Sequence, residues 1–169
     1  MSAALGKTLD DVRGGEGPVP VMLLLVEDND IDACLVERLI RKMDGRMALV
    51  RVRNGEEALE TVRGWASAGP TVAFIDLKMP RMDGLELLDE LDRLRSPQPS
   101  GPVYMLTTSS NPADREAALA HARVSGYLVK PLNRQVLETA VALATAPPAP
   151  VSARRNDGRP LAGPPGSCT

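Results

Sequence analysis

Glu27 and Asp28 in VEDND, Asp76 in FIDLKMPRMDG, Thr107 in MLTTSS and Lys130 in YLVKP are the positions of this chain best suited to chemistry. Each lies at the C-terminal end of a short apolar run. Such a run, bounded by polar residues, reads as a buried strand. In an open parallel sheet the C-terminal strand ends face one crevice, where ligands bind. Three carboxylates, a hydroxyl and an ammonium are therefore expected to converge. Two carboxylates about 5 Å apart repel by roughly 3 kcal/mol at an effective dielectric near 20. A hard divalent cation between them removes that cost. Mg2+ favours one or two carboxylates, several waters and a phosphate oxygen. The chemistry expected is an Mg2+-dependent phosphoryl-accepting site with Asp76 as nucleophile, since a carboxylate can attack phosphorus.

The elements that must position these groups alternate strand and helix five times. VMLLLV (21–26) is continuously apolar, as a strand covered on both faces should be. Ile31–Met43 has helical spacing at Ile31, Leu35 and Leu39 and at Val36, Ile40 and Met43. Residues 48–53 alternate, with Ala48, Val50 and Val52 against Arg51 and Arg53, which predicts an edge strand with one wet side. Asn54 caps a second helix, with Glu57 at the capping-box position, and that helix buries Ala58, Leu59, Val62 and Trp65. TVAFI (71–75) is the third strand, and Asp83 caps a helix whose face is Leu85, Leu88 and Leu91. PVYML (102–106) is the fourth strand, with Asn111–Pro112 opening the next helix. GYLV (126–129) is the fifth strand, and Asn133 starts a helix to about Ala146. This alternation predicts a doubly wound parallel sheet of the flavodoxin-like (βα)5 kind, in strand order 2-1-3-4-5.

Composition bounds the rest. The 169 residues suffice for one domain, expected over 21–146, between a flexible leader (1–20) and a disordered Pro/Gly-rich tail (147–169). Aromatic residues are only 2%, so aliphatic side chains must build the core. A net charge of −2 gives no footprint for nucleic acid. No apolar run can span a bilayer and no secretory signal is evident, so a cytoplasmic protein is expected. Cys34 and Cys168 are expected to remain thiols. Asn29, Asp30 and Asp32 read as helix-start residues rather than ligands, and His121 as a surface residue.

Taken in order, VEDND, DLKMPRMDG, LTTSS and YLVKP resemble the receiver domain of bacterial two-component response regulators. The likeness covers about Val21 to Ala146. It implies that Asp28, Asp76 and the backbone carbonyl of Lys78 hold Mg2+ directly, with Glu27 acting partly through water. It implies that Lys130 pairs with phosphoryl oxygens and that the peptide bond before Pro131 is cis. Thr107, rather than its neighbour Thr108, should donate its hydroxyl to the phosphoryl group, and Tyr127 matches the aromatic that changes rotamer with it. A sensor histidine kinase is the implied phosphoryl source, and a histidine phosphotransfer protein is a second implied partner. The flavour of the segments is similar to stand-alone regulators paired with phytochrome-type kinases.

Two other functions compete. An Asp-nucleophile phosphatase of the haloacid dehalogenase type needs a second Asp two residues on, where this chain has Lys78. An interaction module working without phosphorylation has no need of the intact acceptor, acidic pair, threonine and lysine. An enzyme acting on other substrates is thus not expected. Output is expected through the helix 112–123, strand 126–129 and helix 133–146, a face suited to homodimers, because the alanine-rich first of these has little area with which to hold itself down.

Overall fold

The computed structural model describes residues 21–43, 47–65, 70–95, 99–108 and 111–145. The leader 1–20 and tail 147–169 lie outside the described residues, as does Cys168. Ten elements alternate: β1 (Val21–Val26), α1 (Asp30–Arg41), β2 (Met47–Val52), α2 (Gly55–Gly64), β3 (Thr71–Asp76), α3 (Gly84–Arg93), β4 (Val103–Thr107), α4 (Pro112–Ala120), β5 (Val124–Val129) and α5 (Arg134–Thr145). All strand pairs are parallel and the order is β2-β1-β3-β4-β5. The flavodoxin-like arrangement expected from the alternation is therefore present, with alternating β2 at an edge.

Strand periodicity divides the core into two layers. Met22, Leu24, Val26, Ala73 and Ile75 face one side, where Leu59 and Val62 of α2, Leu87, Leu88 and Leu91 of α3 and Ala118 of α4 cover them. Val21, Leu23, Leu25, Val72 and Phe74 face the other, against Ala33 and Val36 of α1 and Leu137 and Ala140 of α5. Phe74 stacks on Tyr104 across β3 and β4 with ring centroids 5.4 Å apart. Burying β1 and β3 on both faces fixes their register, because a one-residue slip would exchange the two layers.

The helix ends follow their local chemistry. Asn29, Asn54, Asp83 and Asn111 each accept a backbone N–H from the turn that follows. Asp83 and Glu86 complete a reciprocal capping box. At α2, Asn54 accepts from the Glu57 N–H, while the Glu57 carboxylate accepts from the backbone of Arg53.

Three expectations need correction. Ile31 and Leu35 are exposed rather than packed, and α1 buries Ala33 and Val36 instead. The face running through Val36, Ile40 and Met43 is the one against the sheet. α4 ends at Ala120 and β5 starts at Val124, so the last strand is longer and the helix shorter than 126–129 and 112–123 suggest. His121 is not a surface residue, for its side chain is only 13% exposed. It caps the end of α4, accepts the Arg123 N–H at Nδ1, and turns Nε2 to Asp89 and Asp92 of α3. Asp92 also pairs with the Arg123 guanidinium, which holds its carboxyl below the usual range.

Candidate functional site

The crevice forms where β1, β3, β4 and β5 end. Asp76 is the last residue of β3, Glu27 follows β1 directly, Thr107 ends β4 and Lys130 follows β5. Backbone bonds carry the sheet's order into these loops: Glu27 N–H donates to Val52 O, Leu77 N–H to Leu106 O and Lys130 N–H to Thr107 O, at 2.8–2.9 Å. The helix start after the acceptor is pinned as well. Gly84 N–H donates to Leu77 O, and a Cβ on Gly84 would lie 2.5 Å from the Asp76 carbonyl oxygen. Only glycine lets α3 begin so close to β3.

Lys130 is the hub. Its Nζ lies 2.6 Å from Glu27 Oε2, 2.8 Å from Asp76 Oδ2 and 3.1 Å from Asp32 Oδ2. The Lys130–Pro131 peptide bond is cis. Glu27, Asp28 and Asp76 each offer a carboxylate oxygen, and these oxygens all lie within 4.8 Å of one another. Glu27 is 1% exposed and Asp76 7% exposed, so two of the three charges are held out of water. Burial pushes the Glu27 carboxyl above its ordinary value, although its hydrogen bond with Lys130 acts the other way. Burial also pulls Lys130 down, but its hydrogen bonds to Asp76 and Glu27 more than offset this and hold the ammonium above its usual range.

The donor set suits a hard divalent cation. Three carboxylates offer oxygen only, which matches Mg2+ or Mn2+ and not a thiolate- or imidazole-seeking metal. They carry three negative charges against one ammonium. The Lys78 side chain points elsewhere, to Asp114 of α4 at 3.6 Å, while its N–H donates to Asp76 Oδ1 at 3.3 Å.

Thr107 is buried at the end of β4 and Thr108 is exposed beyond it. Tyr127 is half-buried and packs with the core layer of α2, α3 and α4. It stands opposite Met105 in register, two residues before Thr107 on the same face of β4. Those positions place an aromatic ring beside the threonine's strand and the layer that includes α4.

Two participants escape a reading of the sequence alone. Asp32 sits in the first turn of α1, where its acidity is already explained by the helix dipole. Its partner Lys130 is 98 residues away, so no local pattern signals the pair. Arg51 reads as the wet side of β2, yet it donates to the Glu27 carbonyl and to the Asp30 carboxylate. That hydrogen bond, aided by Arg53, holds the Asp30 carboxyl below its usual range.

Residues 23–142 match the family model of the response regulator receiver domain. The chain is 33% identical over 132 residues to a probable methanogenesis regulatory protein of Methanothrix harundinacea, covering 75% of this chain and 82% of that protein. Other curated relatives are longer, and the chain spans 15% and 56% of two of them. Among solved structures, it is similar to a phosphorylated cyanobacterial phytochrome response regulator, RcpA, at 30% identity and a TM-score of 0.57, over 71% of this chain and 87% of that one. It is similar also to the Mn(2+)-bound response regulator Rcp1, at 28% identity and a TM-score of 0.55, over 77% of this chain and 98% of that one.

Proposed function

The chain belongs to the response regulator receiver domain family, and from that premise we propose that it is a cytoplasmic switch that accepts a phosphoryl group on Asp76. The observation that carries this reading is the contact of Lys130 Nζ with Asp76 Oδ2 at 2.8 Å, inside a trio of carboxylates within 4.8 Å. Asp76 supplies the nucleophilic oxygen. The donor is the phosphohistidine of a sensor histidine kinase or of a histidine phosphotransfer protein. As the new O–P bond forms, the P–N bond breaks and the imidazole leaves. Bound at Glu27, Asp28, Asp76 and the Lys78 carbonyl, Mg2+ would neutralise charge on the transferring oxygens. Lys130 gives a point charge to those oxygens, and the Thr107 hydroxyl donates a hydrogen bond to them. Tyr127 then follows Thr107. Self-phosphorylation and its reversal are the only reactions in this reading.

Output runs through α4, β5 and α5. α4 buries only Ala118, and Leu119, Val129 and Leu143 are exposed large apolar residues, one on each element. A homodimer through this face would cover them. No helix among the described residues is long and apolar enough to cross a membrane. A dehalogenase-type phosphatase is disfavoured, because the position of its general acid holds Lys78, which is turned to Asp114. A phosphorylation-independent module leaves the crowded carboxylates without a purpose.

Incubation with acetyl phosphate and Mg2+ tests the reading. A hydroxylamine-labile acyl phosphate is expected on the wild type and none on Asp76→Asn. Equal labelling of both would refute the assignment.

A further inference from the structure

Three carboxylates surround Lys130 Nζ, and an ammonium has three hydrogens, so its donors are fully used. The three acceptors are not equivalent. Glu27 and Asp76 belong to the trio whose oxygens can share a cation, and Asp32 does not. A cation at that trio would draw on the same carboxylates that now hold the lysine. Asp32 then remains as the fixed anchor. It stands on the first turn of α1, whose start is locked by the Asn29 cap through bonds to the Ile31 and Asp32 N–H groups. Its side chain is 26% exposed, so it reaches the pocket from the solvent side and is not itself a buried charge seeking neutralisation.

We propose that Asp32 is a positioning residue for Lys130. It keeps the ammonium aimed at Asp76 when the metal-binding carboxylates are engaged, so that the lysine is in place as the phosphoryl group arrives. The role follows from geometry. Lys130 hangs on a flexible four-carbon stem, and a point charge on such a stem has no preferred direction of its own. With Glu27 and Asp76 committed elsewhere, a third carboxylate on a rigid helix turn supplies that direction. The proposal rests on the assignment of Asp76 as acceptor.

The test is a double-mutant cycle with beryllofluoride, a phosphoryl mimic, measured in saturating Mg2+. Asp32→Ala should weaken beryllofluoride binding and slow acetyl phosphate labelling by about tenfold, the scale of one lost charge-assisted hydrogen bond. Asp32→Asn, which keeps an oxygen acceptor, should recover part of the loss. Mg2+ binding without the mimic should change by less than about threefold, because a screened, partly exposed charge is felt weakly. In the background of Lys130→Met, Asp32→Ala should have no further effect on the mimic, since a residue acting through Lys130 has nothing left to act on. Fully additive losses would overturn the proposal, as would beryllofluoride binding of Asp32→Ala equal to wild type. Urea midpoints of both Asp32 variants separate this from a folding defect. Failure of the wild type to take up phosphoryl or beryllofluoride, by contrast, would remove the acceptor assignment and this role with it.

Discussion

Lys130→Met should convert the site from a tolerated cluster of charge into a measurable weakness. The ammonium is 7% exposed and touches Glu27, Asp76 and Asp32 at 2.6, 2.8 and 3.1 Å. Methionine keeps the stem and deletes the charge. Breaking a buried ion pair by removing one partner costs about 3–5 kcal/mol, because the remaining charge stays buried. Here a second limit applies. Glu27 can take a proton instead, and burial already favours that form. Each pH unit above its ordinary value of 4.5 adds about 1.36 kcal/mol to the cost of that proton. The ceiling is therefore about 4 kcal/mol at pH 7.5 and about 2 kcal/mol at pH 6. The sign follows from linkage: a carboxyl raised in the folded state is no burden below its unfolded value and destabilises as pH climbs through the folded one. So the variant should lose more stability at pH 7.5 than at pH 6. Mg2+ at a hundred times its dissociation constant should return about 2.7 kcal/mol. Urea unfolding can be followed by Trp65, the single tryptophan, which is 6% exposed and sits in the core layer of α2 and α3. A loss independent of pH between 6 and 7.5, or no loss, would refute the electrostatic account of the cluster.

Three further outcomes are expected. Mg2+ should raise the melting temperature of the wild type, and Asp28→Ala should remove most of that rise; an equal rise in both would place the cation elsewhere. Gly84→Ala would set a Cβ 2.5 Å from the Asp76 carbonyl oxygen and 2.6 Å from Met105 Cε. It should cost about 1–3 kcal/mol in urea unfolding and slow labelling of Asp76, whereas a silent substitution would show that α3 shifts freely. Asp92 pairs with Arg123 and its carboxyl lies below the ordinary 3.8, so its contribution is present above that value and lost as pH falls through the lower folded one. Asp92→Asn should lower stability by a constant amount at neutral pH and flatten the acid limb below pH 3.8, so that the two curves converge in acid; parallel curves down to acid would refute the Arg123 account.

The sheet was legible because its strands carry two independent signals. VMLLLV is apolar at every position and TVAFI at every position after Thr71, which only a strand buried on both faces requires, and the polar residue that ends each run marks the crevice. α1 was less legible. Its sequence holds two apolar stripes, and the one through Ile31, Leu35 and Leu39 faces water at Ile31 and Leu35 and meets the core only at Leu39. Ala33 extends the stripe of Val36, Ile40 and Met43, and that stripe packs on the sheet. Alanine contributes little area, so hydrophobic weight alone points the wrong way. A helix beside a crowded parallel sheet is selected for close approach, which favours small residues at the contact.

The site shows a similar division between local and distant causes. Glu27, Asp28, Asp76, Thr107 and Lys130 stand where strands end, and topology alone carries them to one crevice. Asp32 and His121 stand at helix ends, where local chemistry already accounts for them: an acid in a first turn, a polar cap after a last turn. Their tertiary partners add a second role that the local account conceals, Lys130 for Asp32 and the α3 acids for His121. A residue with a sufficient local explanation is therefore where an undetected tertiary contact is easiest to miss. In this molecule both such residues tie a helix end to another element. Asp32 joins α1 to the loop after β5, and His121 joins the end of α4 to α3. α4 packs chiefly against β5 and buries one alanine of its own. A shift of α4 would then be felt at both of its ends: at the first turn, where Asp114 pairs with Lys78, and at the last, where the His121 and Arg123 contacts to Asp92 hold it against α3.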